Sequence, residues 1–211
     1  MNHVAVCYKG VFDAPKELVK ETLENHETMF WKSLNHMGLR IDFFASTYEG
    51  EDHYKNDINF TYYGFIDDEY RNASTWNAQL AHHENLARIV NKQGKQYDLV
   101  IITRPDLRWL KPFHEIKIDP NKFNIPIKHD SGNCDDNLFV YPIELMDGFI
   151  KSVNDLQKSG GITHAINNSL ESNGVPVSYM QDYDHDTFTT NSNLGQTIFT
   201  MCKYLKDGNS N

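Results

Sequence analysis

Residues 97–109 read Tyr-Asp-Leu-Val-Ile-Ile-Thr-Arg-Pro-Asp-Leu-Arg-Trp, a continuous apolar run that stops in a charged turn. A strand with one wet face alternates apolar and polar residues. This one does not, so it belongs in the middle of a parallel sheet covered on both faces. Its neighbours agree. His3 to Tyr8 is a second short apolar run, ending at Lys9-Gly10. Asp13 then offers a helix cap and Pro15 fits a first turn. Val19, Leu23, Phe30 and Leu34 recur at helical spacing until Gly38 supplies a stop. A strand at Ile41 to Ala45 completes a βαβ start.

Further strands are expected at 58–66, 123–127, 137–141 and 175–180. A helix capped by Ser74 carries Trp76, Leu80, His83, Ala87 and Val90 on one stripe, and others cover 145–156 and 162–170. With no internal repeat and no Pro, Gly or Ser-rich linker, residues 1–211 read as one α/β domain. Its sheet is Rossmann-like, mixed but mostly parallel, with helices on both faces and a frayed polar tail at 206–211. Ligands in such sheets bind beyond the carboxyl ends of the strands.

Charge limits the ligand. Twenty Lys and Arg against 29 Asp and Glu give a net −9, a field that repels phosphate backbones and disfavours nucleic acid as a partner. An anionic ligand must therefore be held locally, by a metal ion, a helix N-terminus or a few basic side chains. Three cysteines without metal-type spacing (Cys7, Cys134, Cys202) read as reduced thiols. No stretch approaches the about 20 apolar residues of a membrane span, and no signal segment opens the chain, so a cytoplasmic location is expected. Neither GxGxxG nor GxxxxGK[ST] occurs. His83-Glu84 begins like a zinc-binding HExxH helix, but Ala87 stands where the second His is needed.

Three groups of residues carry chemistry. Asp106, just past the central strand, is where an α/β enzyme would hold Mg²⁺ or Mn²⁺ against a diphosphate, with Arg104 or Arg108 adding a phosphate contact. A structural Arg-to-Asp pair in a stiff turn is the competing reading. Asp135 and Asp136 precede an apolar strand and point in different directions. One can meet a substrate hydroxyl as a general base while its neighbour takes solvent or backbone amides. An acidic cap is the alternative. Asp182 to Asp186 contains two Asp-x-Asp spacings around His185, although Thr187 and Asn193 break the EF-hand pattern.

The segment Tyr97 to Trp109 resembles the sugar-nucleotide segment of small glycosyltransferases of the GT-A type, among them viral ones that decorate capsid glycoprotein. Asp106 matches the second acid of their DxD motif, and Arg104 stands in place of the first. Val4 to Gly10 is similar to the first GT-A strand and its nucleotide-binding turn, and Asp136-Asn137-Leu138-Phe139 to the acidic acceptor-side motif. The resemblance implies metal-dependent transfer of a hexose from a UDP-sugar to a hydroxyl of a glycan or glycoprotein. Asp106 would then ligate Mn²⁺ or Mg²⁺, with His185 (or His164) completing the metal shell. Tyr8 would lie against the uracil, Lys9, Gly10 and Arg104 would attend the phosphates, and Asp136 would act as base in an inverting displacement. A sugar- or nucleotide-binding module without turnover is the reading from another class. A glycoside hydrolase would need two carboxylates set across a groove, which adjacent Asp135 and Asp136 do not supply.

Overall fold

A computed structural model of the chain describes residues 3–12, 17–50, 54–67, 75–93, 97–129, 131–181 and 198–201. Strand β1 (His3–Lys9) lies at the heart of a seven-stranded sheet. It pairs in parallel with β2 (Arg40–Thr47) on one side and β4 (Leu99–Thr103) on the other. β3 (Phe60–Phe65) extends the sheet beyond β2. Beyond β4 come β7 (Leu138–Pro142), β6 (Phe123–Ile125) and β8 (Val177–Tyr179), giving the order β3-β2-β1-β4-β7-β6-β8. β7 runs antiparallel to both β4 and β6, while β6 and β8 are parallel, so one strand opposes six. The sheet is thus mixed and mostly parallel. β4 itself corrects an expectation: it is buried on both faces, yet only one of its two partners is parallel.

Period-two packing explains the two cores. Val4, Val6 and Tyr8 of β1 face one apolar cluster with Phe30 and Leu34. Ala5 and Cys7 face the other with Leu86, Val90, Phe149 and Val153. The first cluster is covered by a helical run made of α1 (Glu17–Asn25), a π-helical turn (His26–Trp31) and α2 (Lys32–His36). The second lies under α3 (Thr75–Lys92), α4 (Met146–Ser159) and α5 (Ile166–Ser172). Gly160 ends α4 in the left-handed region at φ 67°, a conformation that glycine adopts without a Cβ penalty.

Two elements were not foreseen. Leu107 to Trp109 forms β5, which pairs antiparallel with β9 (Phe199–Met201), so 175–180 is not the last strand. Trp109 anchors this small sheet by stacking on Phe30 at 4.5 Å between ring centroids, edged by Phe113 and Phe199. The expected 162–170 helix is split, with a 3₁₀ turn at Thr163–Ala165 before α5. No described helix is long and apolar enough to cross a membrane.

Candidate functional site

Topology selects the place. The chain passes from β1 outward through β2 and β3, then returns to β4 on the opposite side of β1. The crevice beyond the carboxyl ends of β1 and β4 is therefore the topological switch point. β7 is reversed, so its entry residues reach the same end of the sheet. Lys9-Gly10, Arg104 to Asp106 and Asp135-Asp136 converge there from segments far apart in sequence.

Lys9 is buried. Its Nζ donates to the Asp136 carbonyl at 2.6 Å and to His83 Nε2 at 3.1 Å, and stands 3.7 Å from the Asp136 carboxylate. Burial pushes its pKa down and Asp136 opposes that shift, while Arg104 adds to it. His83 and its neighbour His82 come from α3. His82 accepts from Ser46, which itself accepts from Asn85. Burial, reinforced by Lys9, pushes His82 down to about 3 and His83 well below the ordinary range. The sequence reading set His83 aside with its failed zinc motif. The available signal was a pair of histidines on the inward stripe of a helix facing the first strand.

The Asp135-Asp136 pair divides its duties. Asp135 accepts from the Asn137 amide N–H at 2.8 Å and from its side chain at 3.2 Å, closing the turn into β7. Burial and the adjacent carboxylate raise it to about 6. Asp136 is 3% exposed, and its Oδ2 has no hydrogen-bond partner. Its other oxygen faces His164 Nδ1 at 3.7 Å, and that nitrogen donates to the Cys134 carbonyl at 2.9 Å. His164 thus stands beside Asp136.

Arg104 and Asp106 form a bidentate fork, Nε to Oδ1 at 2.8 Å and Nη2 to Oδ2 at 2.7 Å. Asp106 is wholly buried, and both of its oxygens are engaged by this one guanidinium. The structural pair offered as the competing reading is therefore formed. Arg108 pairs instead with Glu21 at 2.7 Å on the surface. Gly10 turns the chain out of β1 at φ 78°, donating to the Ser46 carbonyl, and nothing lies within 4 Å of where a Cβ would be. His185 and the Asp182 to Asp186 stretch lie outside the described residues. Among the described residues, no three His, Cys, Asp or Glu side chains gather as a metal-holding group.

Tyr8 points away from Lys9, into the first apolar cluster, and is fully enclosed rather than open to a base. It links three elements. Trp31 Nε1–H donates to the Tyr8 oxygen, Tyr8 donates to His26 Nδ1, and His26 Nε2–H donates to the Leu107 carbonyl. The carbonyl can only accept, which fixes the proton on Nε2. Burial pushes His26 down to about 4. A histidine held neutral stabilises the fold fully above its unfolded value near 6.5, and that contribution is lost as pH falls from there through 4. For His26 the loss is about 3 kcal/mol by pH 4. Asp135 acts in the opposite sense, since its penalty is present above about pH 6 and is relieved on acidification, but three buried histidines outweigh it. Urea denaturation should therefore give lower stability at pH 4.5 than at pH 7, with a shallower slope for His26→Gln. A His26 proton resonance titrating near 6.5 would contradict this account.

An open groove of about 280 Å³ lies between the end of β3 and α3, lined in part by Phe65, Asp67, Glu84, Asn85 and Arg88. Asn85 connects it to the interior through Ser46 and His82. No protein-family model matches the chain, and no curated protein matches it.

Proposed function

We propose that the chain is a glycosyltransferase that moves a hexose from a UDP-sugar to a hydroxyl of a glycan, with the donor diphosphate at the β1–β4 switch point. The observation that carries this reading is the pairing of opposite functions at one end of the sheet. Cationic Arg104 flanks the crevice on the β4 side, while Asp136 sets a buried carboxylate oxygen 3.7 Å from Lys9, with no hydrogen bond of its own, on the β7 side. Lys9 balances the charge of that oxygen without a hydrogen bond to it, which leaves its hydrogen-bonding capacity for a substrate hydroxyl. Asp136 would take the hydroxyl proton as the new bond to the anomeric carbon forms and UDP departs, giving inversion. Asp135 would hold the turn that aims it.

The divalent cation that the resemblance implies does not fit at Asp106 as the described residues stand: the carboxylate is wholly buried, both of its oxygens are engaged by Arg104, and no other ligating side chains gather beside it. This chain's own residues align the hydroxyl, accept its proton and present cations to the phosphates. Measuring UDP release from a panel of UDP-sugars, with glycan acceptors and Mn²⁺, tests the proposal. Turnover with one donor supports it. Binding without release would assign a binding module, and no response to any UDP-sugar would end the reading.

A further inference from the structure

The charges around Asp106 suit an anion better than a dication. A divalent ion would have to displace the Arg104 fork and then stand near Arg104 and Lys9, two charges of its own sign. Arg104 acts on Lys9, and both act on His82, each pushing its neighbour toward the neutral form. The three groups therefore share one electropositive corner of the crevice, where a phosphate is favoured. Lys9 supplies field there rather than contact, because its ammonium is committed to the Asp136 carbonyl and to His83. His82 supplies a donor. Ser46 Oγ accepts from the Asn85 amide nitrogen, which can only donate, so the hydroxyl proton goes to His82 Nδ1. The proton of the neutral ring is then on Nε2. Tyr48 packs edge-on against the ring at 5.1 Å between centroids, which together with Ser46 fixes its orientation. His82 is 2% exposed, and its Nε2 has no hydrogen-bond partner among the described residues. A buried donor left unmade is costly, and an anion arriving beside Arg104 removes that cost.

We propose that this corner binds the diphosphate of a nucleoside diphosphate directly, with no divalent cation between them, through the Arg104 guanidinium and the His82 Nε2–H. Asp106 is then a positioning residue. It holds the guanidinium by one edge with two hydrogen bonds, and a guanidinium has a second edge of donors to turn toward phosphate oxygens. Lys at 104 would supply the charge without that geometry. The choice of a nucleoside diphosphate over another anion rests on the transferase reading. In the transfer, the bond between the anomeric carbon and the β-phosphate oxygen breaks, and its electron pair stays on that oxygen. The acceptor oxygen forms the new bond to the anomeric carbon while its proton passes to Asp136. Charge developing on the departing diphosphate is met by donors already fixed in place, the task that a metal ion would otherwise perform.

The experiment titrates UDP and, separately, inorganic pyrophosphate into the full chain by calorimetry, once in excess EDTA and once in Mn²⁺. The parent is compared with Arg104→Lys, His82→Phe and His82→Gln, each checked for folding by thermal melting. UDP should bind the parent in EDTA within about threefold of its affinity in Mn²⁺. Arg104→Lys and His82→Phe should each weaken both UDP and pyrophosphate by about tenfold or more, the effect of one lost charge-assisted hydrogen bond. His82→Gln, whose amide nitrogen can stand near the place of Nε2, should lose less than His82→Phe. Histidine ¹⁵N spectra of the parent need no variant to fold: His82 should be the Nε2–H tautomer at pH 7, and its Nε2–H proton should shift when pyrophosphate is added in EDTA. UDP affinity that collapses in EDTA would overturn the proposal, as would parental affinity in His82→Phe or a His82 resonance that pyrophosphate leaves unmoved. The two readings fail separately. Turnover of a UDP-sugar that requires Mn²⁺ would keep the transferase and overturn the cation-free site. Pyrophosphate bound in EDTA through Arg104 and His82, with no UDP-sugar turned over, would keep the anion site and end the transferase reading.

Discussion

Asp136→Asn is expected to bind a UDP-sugar as the parent does and to transfer the sugar about 10²- to 10⁴-fold more slowly, the range a positioned general base contributes. The substitution preserves volume and hydrogen-bonding shape. Its amide oxygen can face Lys9, whose Nζ stands 3.7 Å from Oδ2, so the local fold is expected to survive. What disappears is an acceptor able to take a proton. Asp135→Asn is the informative companion. Both Asp135 oxygens are committed to Asn137, and an amide cannot accept on both sides, so the turn into β7 loosens and stability falls. Single-turnover rates under saturating donor, with donor affinity measured separately, distinguish the two. If Asp136→Asn transfers within tenfold of the parent while Asp135→Asn is the slow variant, the assignment is reversed. The base would then be Asp135, whose buried carboxyl is raised to about 6, and a rate profile breaking near that pH would accompany the result.

The main lines of the fold were legible because its strands carry unbroken apolar runs. Leu99 to Thr103 and Val4 to Tyr8 are enclosed on both faces, and enclosure leaves its mark on composition wherever a strand sits. Direction left no such mark. β7 is as apolar as β4, so its reversal could not be read from Leu138 to Tyr141. β5 was hidden for a different reason: its three residues pair with a strand some ninety positions away, and Leu107-Arg108-Trp109 alone looks like the tail of a turn. At the site, the divergence of the Asp135 and Asp136 side chains followed from adjacency. The partners of Lys9 did not. That Lys9 would be buried against Asp136 and His83 depends on which helix crosses β1, and an isolated Lys before a Gly reads as an exposed turn. Tyr8 shows the same limit, because alternation sends it and Lys9 to opposite faces and only one of them can meet the crevice.

Lys9→Met should cost about 3–5 kcal/mol of stability near neutral pH, the range for breaking a buried ion pair by removing one partner. Lys9 is buried beside two buried carboxylates, and its charge lowers the pKa of Asp135 as well as facing Asp136. Methionine fills the space of the stem yet leaves those carboxylates without their cation. The folded pKa of Asp135, already raised by burial to about 6, then loses the opposing pull of Lys9 and rises further above the unfolded value near 3.8. A carboxyl raised in this way penalises the fold above its folded pKa and is relieved as pH falls through it, so the variant's deficit should shrink between pH 7 and pH 5. The parent should show no matching gain, since its buried histidines drive its stability down over the same interval. Combining Lys9→Met with Asp136→Asn removes one stranded charge and should recover at least half of the loss. A purely steric role for Lys9 makes the opposite forecast: a deficit independent of pH and undiminished in the double variant. Urea denaturation of the three variants at pH 5 and pH 7, followed by tryptophan fluorescence, separates these outcomes. A Lys9→Met deficit below about 1 kcal/mol at pH 7 would mean that the lysine is already neutral in the folded chain, held by His83 and the Asp136 carbonyl rather than by charge.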